Sequence, residues 1–298
     1  MRRVVIVLGA VVAFVGAAVL LVVLAGGDDS SAAGDPHAGA KDVPASVLRA
    51  AEAGAADRSQ EELAAEGRKL FESTAQAKTG ESCAGCHTAG GGVNADVGTT
   101  PHPQTEGDFT GPRDPPALWD VARTAPYGWD GAQEDLTAFV AGTVKTHFKD
   151  GASQPVEETG RQAAALVAYV KTIKPPTTRF DQGTMSDAAL RGEALFQGKG
   201  GCIECHVGAS FTDGLVHNLQ VPEAEGDGDW GAAKTGPLLR AFNTQSLRDV
   251  RNTAPYMHNG HFKTLEEVVD FYNRESVLSP LNLTAAEQAE LVAYLESL

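Results

Sequence analysis

Cysteine, methionine and positive charge are all scarce in this chain. Its 298 residues include four cysteines and three methionines, and 24 Lys and Arg stand against 39 Asp and Glu, for a formal net charge of −15. An acidic surface of that size excludes a nucleic-acid binder, which needs a basic face. It suits solubility, and it suits a basic partner protein. Long apolar runs are also missing, with one exception. Val4 to Ala25 carry no charge over 22 residues and follow Arg2 and Arg3. Such a run is long enough to cross a bilayer as a helix. The arginines would stay on the cytoplasmic side and the rest of the chain would lie outside. A cleaved signal peptide, the alternative, usually has a shorter apolar region. No cysteine follows the run, which argues against a lipoprotein anchor. The expectation is a periplasmic or otherwise extracytoplasmic protein, held at the inner membrane by residues 4–25 or secreted after cleavage.

The four cysteines fall in two groups, CAGCH (Cys83, Cys86, His87) and CIECH (Cys202, Cys205, His206). C-x-x-C-H is the attachment pattern for c-type haem. Two thiols on one turn reach the two vinyl groups of a porphyrin, and the adjacent histidine turns its imidazole to the iron. Two disulfides or one four-thiolate zinc site are the rivals. Each leaves both trailing histidines without a purpose.

The chain also repeats itself. GRKLF (67–71) precedes the first motif and GEALF (192–196) the second. LWDVARTAPYGWDGAQEDL (118–136) matches LRDVRNTAPYMHNGHFKTL (247–265) at nine of 19 positions, at an offset of 129. LVAY occurs at 166–169 and again at 291–294. Helical spacing covers Arg161–Ile173 and Thr284–Leu298, and Ser186 and Thr284 read as N-caps. Strand patterns are nearly absent. The reading is a mainly α fold: an anchor or signal segment over 1–26, a flexible tether over 27–55, and two tandem cytochrome c-like haem domains over 56–176 and 177–298. Each domain is too small to bury a large core from side chains alone, so haem would supply much of the interior.

The motifs GPRDPPALWDV (111–121), YGWDG (127–131), FTDGLVHN (211–218), SLRDVRNTAPYMHNG (246–260) and TLEEVVDFY (264–272), with the two haem motifs, resemble the bacterial di-haem cytochrome c peroxidase family. That family includes the di-haem enzymes that mature tryptophan-derived quinone cofactors. The resemblance covers roughly residues 60–298. It implies two covalent haems, reduction of hydrogen peroxide to water, and a small redox protein of cytochrome c or cupredoxin type as electron donor. It also implies an inter-haem tryptophan, matched by Trp129, and a calcium ion at the domain interface. Asp114 matches the asparagine that serves that ion, with carbonyls near Asn243 and Gln245 as partners; a turn aspartate is the other reading.

Sixth ligands are limited by composition. Beyond Met1, the methionines are Met185, in the linker, and Met257. The first haem therefore has no methionine nearby, and His102, His147 or an open position remain. His102 sits in a Gly/Pro/Thr-rich loop, and His147 follows the helical stretch Leu136–Thr146. For the second haem the candidates are Tyr272 and Met257. Four of the five tyrosines form repeated pairs, and Tyr272 alone does not, because the repeat sets Thr143 opposite it. By resemblance, Tyr272 falls where peroxidases carry methionine and the quinone-maturing enzymes carry tyrosine. One departure stands out. The family's distal glutamine and glutamate fall on Phe139 and Lys149, leaving Glu134, Asp135, His147 or Asp150 to move the proton. The expected function is a peroxide-reducing di-haem oxidoreductase. The alternatives are a di-haem electron carrier without peroxide chemistry, or a peroxide-dependent protein-modifying relative.

Overall fold

The computed structural model describes residues 43–78, 80, 82–87, 102–106, 109–223, 236–274 and 280–298, with only the backbone of 102–106 and 109–113. The apolar run 4–25 and most of the expected tether lie outside these residues. Among the described residues no helix is long and apolar enough to cross a membrane. The described residues all fall within one compact unit.

Its helices are α1 (Ala45–Ala56), α2 (Gln60–Glu72), α3 (Cys83–Cys86), α4 (Leu136–His147), α5 (Val156–Val170), α6 (Arg179–Gln182), α7 (Asp187–Gln197), α8 (Leu265–Arg274) and α9 (Ala285–Leu295). Short 3-10 turns and two small antiparallel pairs complete the described elements, the pairs being β1 (His102–Glu106) with β2 (Phe109–Arg113), and β3 (Val216–His217) with β4 (Phe242–Asn243). The fold is mainly helical, as the periodicity predicts.

Local chemistry explains the helix starts. Ser59 and Glu62 form a capping box at α2, and Thr284 and Glu287 another at α9. Ser186 caps α7 by accepting from Ala189 N, and Asp135 caps α4 by accepting from Ala138 N. Each bond satisfies a backbone N–H that the first helical turn leaves unpaired.

The repeat is visible as packing. In the first copy α2 crosses α5 at Gly67, where a Cβ would lie 1.9 Å from Ala165 O. In the second, α7 crosses α9 at Gly192, 1.9 Å from Glu290 O. Asp120 and Asp249 both take left-handed backbone angles, and both adjoin a 3-10 turn and a cis Ala–Pro bond. Each copy gathers its own apolar cluster, around Phe71, Tyr127 and Leu166 in the first and around Phe196, Tyr256 and Tyr294 in the second.

One expectation is corrected. Residues 45–55, read as tether, form most of α1, which packs on the first copy. Val47 is fully buried against Ala141 and Ala163, and Gly160 lets the helix approach Ala50 and Ala51. The second copy carries Asp270 and Gln288 at the positions matching Ala141 and Ala163. That face stays polar and needs no covering helix.

The copies meet through reciprocal bonds. Asp114 N donates to His258 O at 2.9 Å, and Asn243 N donates to Trp129 O at 2.8 Å. Adding the offset of 129 to Asp114 and Trp129 gives Asn243 and His258. Each bond is therefore the other's counterpart, as a local twofold requires.

Candidate haem centres

In the first copy, Ser82 Oγ accepts Gly85 N–H and His87 N donates to Cys83 O, so a single turn carries Cys83, Cys86 and His87. His87 Nδ1 lies 3.1 Å from Pro116 O. A carbonyl only accepts, so Nδ1 carries the hydrogen and Nε2 carries the lone pair of the neutral ring. The second copy repeats the arrangement. His206 N donates to Cys202 O, and His206 Nδ1 lies 2.9 Å from Phe211 O. Burial pushes the His206 pKa down, which keeps the ring in its ligating, neutral form. Burial likewise pushes the Cys83 thiol up to about 11 and Cys202 to about 12.

A cavity of about 520 Å³ lies over the second motif. Cys202, Cys205 and His206 line it, and so do Met257 and Tyr272. Its volume falls within the usual range for small-molecule and cofactor pockets. The Tyr272 hydroxyl is raised by burial first and then by Cys202 and Cys205 beside it. Met257 has φ +71°, where its counterpart Gly128 has +84°. A side chain in that region costs about 1–2 kcal/mol, so Met257 is held where glycine would be easier.

The repeat carries this geometry to the first copy. Leu265, Val268, Val269 and Tyr272 line the cavity from α8. Their counterparts on α4 are Leu136, Phe139, Val140 and Thr143. Leu136 belongs to the first apolar cluster, with Phe139, Val140 and Cys83 packed against it. Thr143 Oγ1 donates back to Phe139 O at 3.0 Å. His147 is the last residue of α4 rather than beyond it, one turn past Thr143 on the same face. Its carbonyl accepts Lys78 N–H at 2.8 Å, which ties it to the segment before the first haem motif. His102 opens β1 opposite Arg113; its side chain lies outside the described residues. Of the other proton-transfer candidates, Asp135 is used as a helix cap, and Glu134 and Asp150 are exposed.

Trp129 stands between the copies. Its Nε1 donates to Asp114 O at 2.7 Å, and its ring meets His258 edge-on at 6.3 Å. Sequence reasoning missed His258, which is buried and stacked 3.6 Å over Phe242. The offset of 129 pairs it with Trp129, so the signal was present. Asp114 and Asn243, also repeat partners, are both buried, and the Oδ1 of each has no hydrogen-bond partner. Burial lifts the Asp114 pKa to about 8, against a smaller downward pull from Lys263.

Two cytochrome c-like copies, each with a C-x-x-C-H turn and an imidazole oriented by a backbone carbonyl, define a tandem di-haem cytochrome architecture. The comparisons agree. The family model for di-haem cytochrome c peroxidases matches residues 61–158. Cytochrome-c peroxidase IdrP2 of Denitromonas iodatirespirans is 37% identical over 169 residues, 44% of this chain and 46% of that protein. The chain thus matches about half the length of that relative. Methylamine utilization protein MauG of Methylorubrum extorquens is 29% identical, over 80% of this chain and 78% of its own. The crystal structure of a MauG-like protein associated with microbial copper homeostasis superposes with a TM-score of 0.65 at 25% identity, over 80% of this chain and 88% of that one. Over these stretches the chain is similar to the di-haem cytochrome c peroxidases and their MauG-type relatives.

Proposed function

We propose that this protein is an extracytoplasmic di-haem c-type peroxidase, holding one haem through Cys83, Cys86 and His87 and another through Cys202, Cys205 and His206. The observation that carries this reading is an asymmetry in the repeat. Where the second copy presents Met257 and Tyr272 to its cavity, the first copy has Gly128 and Thr143. Glycine has no donor, and a threonine hydroxyl is a poor iron ligand. The first site therefore leaves room for peroxide, and the second is capped and suited to receiving electrons. A small redox protein delivers two electrons, and hydrogen peroxide with two protons becomes two waters. When bound, the haems supply the electrons that break the O–O bond.

The chain's own residues then handle the proton. Thr146 Oγ1 donates to the carbonyls of Gly142 and Thr143 at 3.1 and 3.2 Å, so toward His147 Nδ1, 2.8 Å away, it accepts. Nδ1 thus carries the hydrogen, and Nε2 is the basic atom. His147 Nε2 takes a proton from the incoming peroxide and returns it to the leaving oxygen, the work of the absent glutamine and glutamate. Thr143 lies one turn away and orients the substrate. Trp129, between the copies, couples the haems. The unpartnered oxygens of Asp114 and Asn243 suit a hard cation such as calcium. Tyr272 would help to hold the second haem, as the resemblance to the quinone-maturing enzymes implies, and that would suit a protein-modifying variant of the same chemistry. Residues 4–25 would hold the protein at the inner membrane.

The test uses holoprotein reduced by one electron. A high-spin first haem that turns over peroxide is expected. His147→Gln should slow turnover by about 10²–10⁴-fold with both haems retained. Two low-spin haems and no turnover in the parent protein would make it an electron carrier instead. Undiminished turnover in His147→Gln would remove His147 from the mechanism.

A further inference from the structure

The segment FTDGLVHN, residues 211–218, has no part in the steps above. It folds back from the second haem motif as a tightly bonded loop. Thr212 Oγ1 donates to Thr244 O at 2.6 Å, Thr244 N donates to Leu215 O at 3.0 Å, and Gly214 N donates to Thr212 Oγ1 at 3.1 Å. Inside the loop, Asp213 Oδ1 accepts Leu215 N–H at 2.9 Å and Oδ2 accepts His217 Nε2–H at 2.7 Å. The Asp213 side chain is 12% exposed and that of His217 34%. An Asp213 oxygen, a His217 ring nitrogen and the Cys205 sulfur all lie within 4.8 Å of one another.

Those three groups have the composition of a metal site. On the reading above, though, the Cys205 sulfur is a thioether to haem and only two donors remain. What is left is a carboxylate fixed beside the point where the second haem is attached. Burial alone would raise its pKa; the bonds from Leu215, His217 and Thr244 outweigh burial and leave it below the usual carboxylate range. The same loop supplies Phe211 O, the acceptor that orients the proximal imidazole of His206.

We propose that Asp213 is a positioning residue for the redox chemistry of the second haem: a fixed anion at its attachment edge that lowers its reduction potential. A nearby negative charge stabilises the oxidised iron, which carries one more positive charge than the reduced form. The effect is large where low-dielectric protein screens poorly. His217 holds the carboxylate in place and draws off part of its charge through the short hydrogen bond. A lower potential at the second haem favours passing the electron onward to the first. The proposal rests on the reading that Cys202, Cys205 and His206 hold haem.

The experiment is a spectroelectrochemical titration of the full-length holoprotein, with haem per chain counted by pyridine haemochrome. Asp213→Asn keeps an oxygen for Leu215 N–H but removes the charge. Its second haem should shift to a more positive midpoint potential while the first stays put, and Asp213→Glu should return most of the shift. A parent protein with fewer than two haems per chain would sink the underlying reading. Two haems with an unmoved potential in Asp213→Asn would overturn this proposal alone and make Asp213 a turn residue. If Asp213→Asn loses the second haem, His217→Leu decides. It keeps the carboxylate and deletes its partner, so a negative shift is expected, and no shift overturns the proposal equally.

Discussion

Tyr272 and Met257 compete at the same cavity, and two physical facts separate them. Tyr272 sits on the regular helix α8 with its hydroxyl beside Cys202 and Cys205, where burial keeps the phenol protonated unless a cation draws the proton off. An iron is such a cation. Met257 sits in a left-handed turn that a glycine fills in the other copy. If tyrosine is the ligand, Tyr272→Phe should abolish a tyrosinate-to-iron charge-transfer band and convert one haem to high spin. Met257→Ala should leave both signals in place. The reverse result would transfer the role to Met257 and make the second haem a His/Met centre. Tyr272 could be picked out in the sequence because it alone among the tyrosines lacks a repeat partner. Asp213 could not. Its meaning depends on a loop that returns to the haem motif, and no local pattern specifies that return.

At the scale of elements, the sequence specified helices wherever the signal was local. Ser186 and Thr284 start α7 and α9 as their capping chemistry requires. Helix α1 was misread because its Ala-rich, Gly-containing run has little to hold it alone. Its stability comes from Val47 packing on Ala141 and Ala163, two residues nearly a hundred or more positions away. The helix crossings are likewise set by tertiary approach. Gly192 carries ordinary helical backbone and is needed for its missing side chain, since a Cβ would meet Glu290 O and Glu290 C at 1.9 and 2.6 Å. Gly192→Ala should cost about 1–3 kcal/mol by overpacking, seen as a lower midpoint in denaturant unfolding of the holoprotein. Gly183→Ala tests a different cost, because nothing lies within 4 Å of its Cβ and only its φ of +65° opposes the change. That loss is the conformational one alone, about 1–2 kcal/mol. Equal losses at the two positions would mean that the α7–α9 crossing relaxes freely.

For the molecule as a whole, the local twofold puts Asp114 and Asn243 in the lining of one cavity, each with an unpartnered buried oxygen. The offset of 129 predicted that these residues correspond, but not that both line one cavity, because correspondence within a repeat says nothing about how copies dock. The pairing has a consequence for stability. With the Asp114 pKa raised to about 8 by burial and near 3.9 in an unfolded chain, the folded state binds more protons between those values. Stability from this group is then highest below about pH 4 and falls as pH rises toward about 8. A divalent cation reverses the sign of the problem: it binds the ionised carboxylate, and its affinity grows as the proton leaves. Thermal unfolding of chelator-treated holoprotein should therefore show a lower midpoint at pH 8 than at pH 5. Added calcium should raise the midpoint at pH 8 by more than at pH 5. Asp114→Asn, which keeps an oxygen but cannot ionise, should flatten the pH dependence in chelator and weaken the calcium response. If calcium leaves the parent protein's midpoint unmoved at pH 8, the two oxygens do not form a cation site, and Asp114 is a buried neutral acid that only closes the interface.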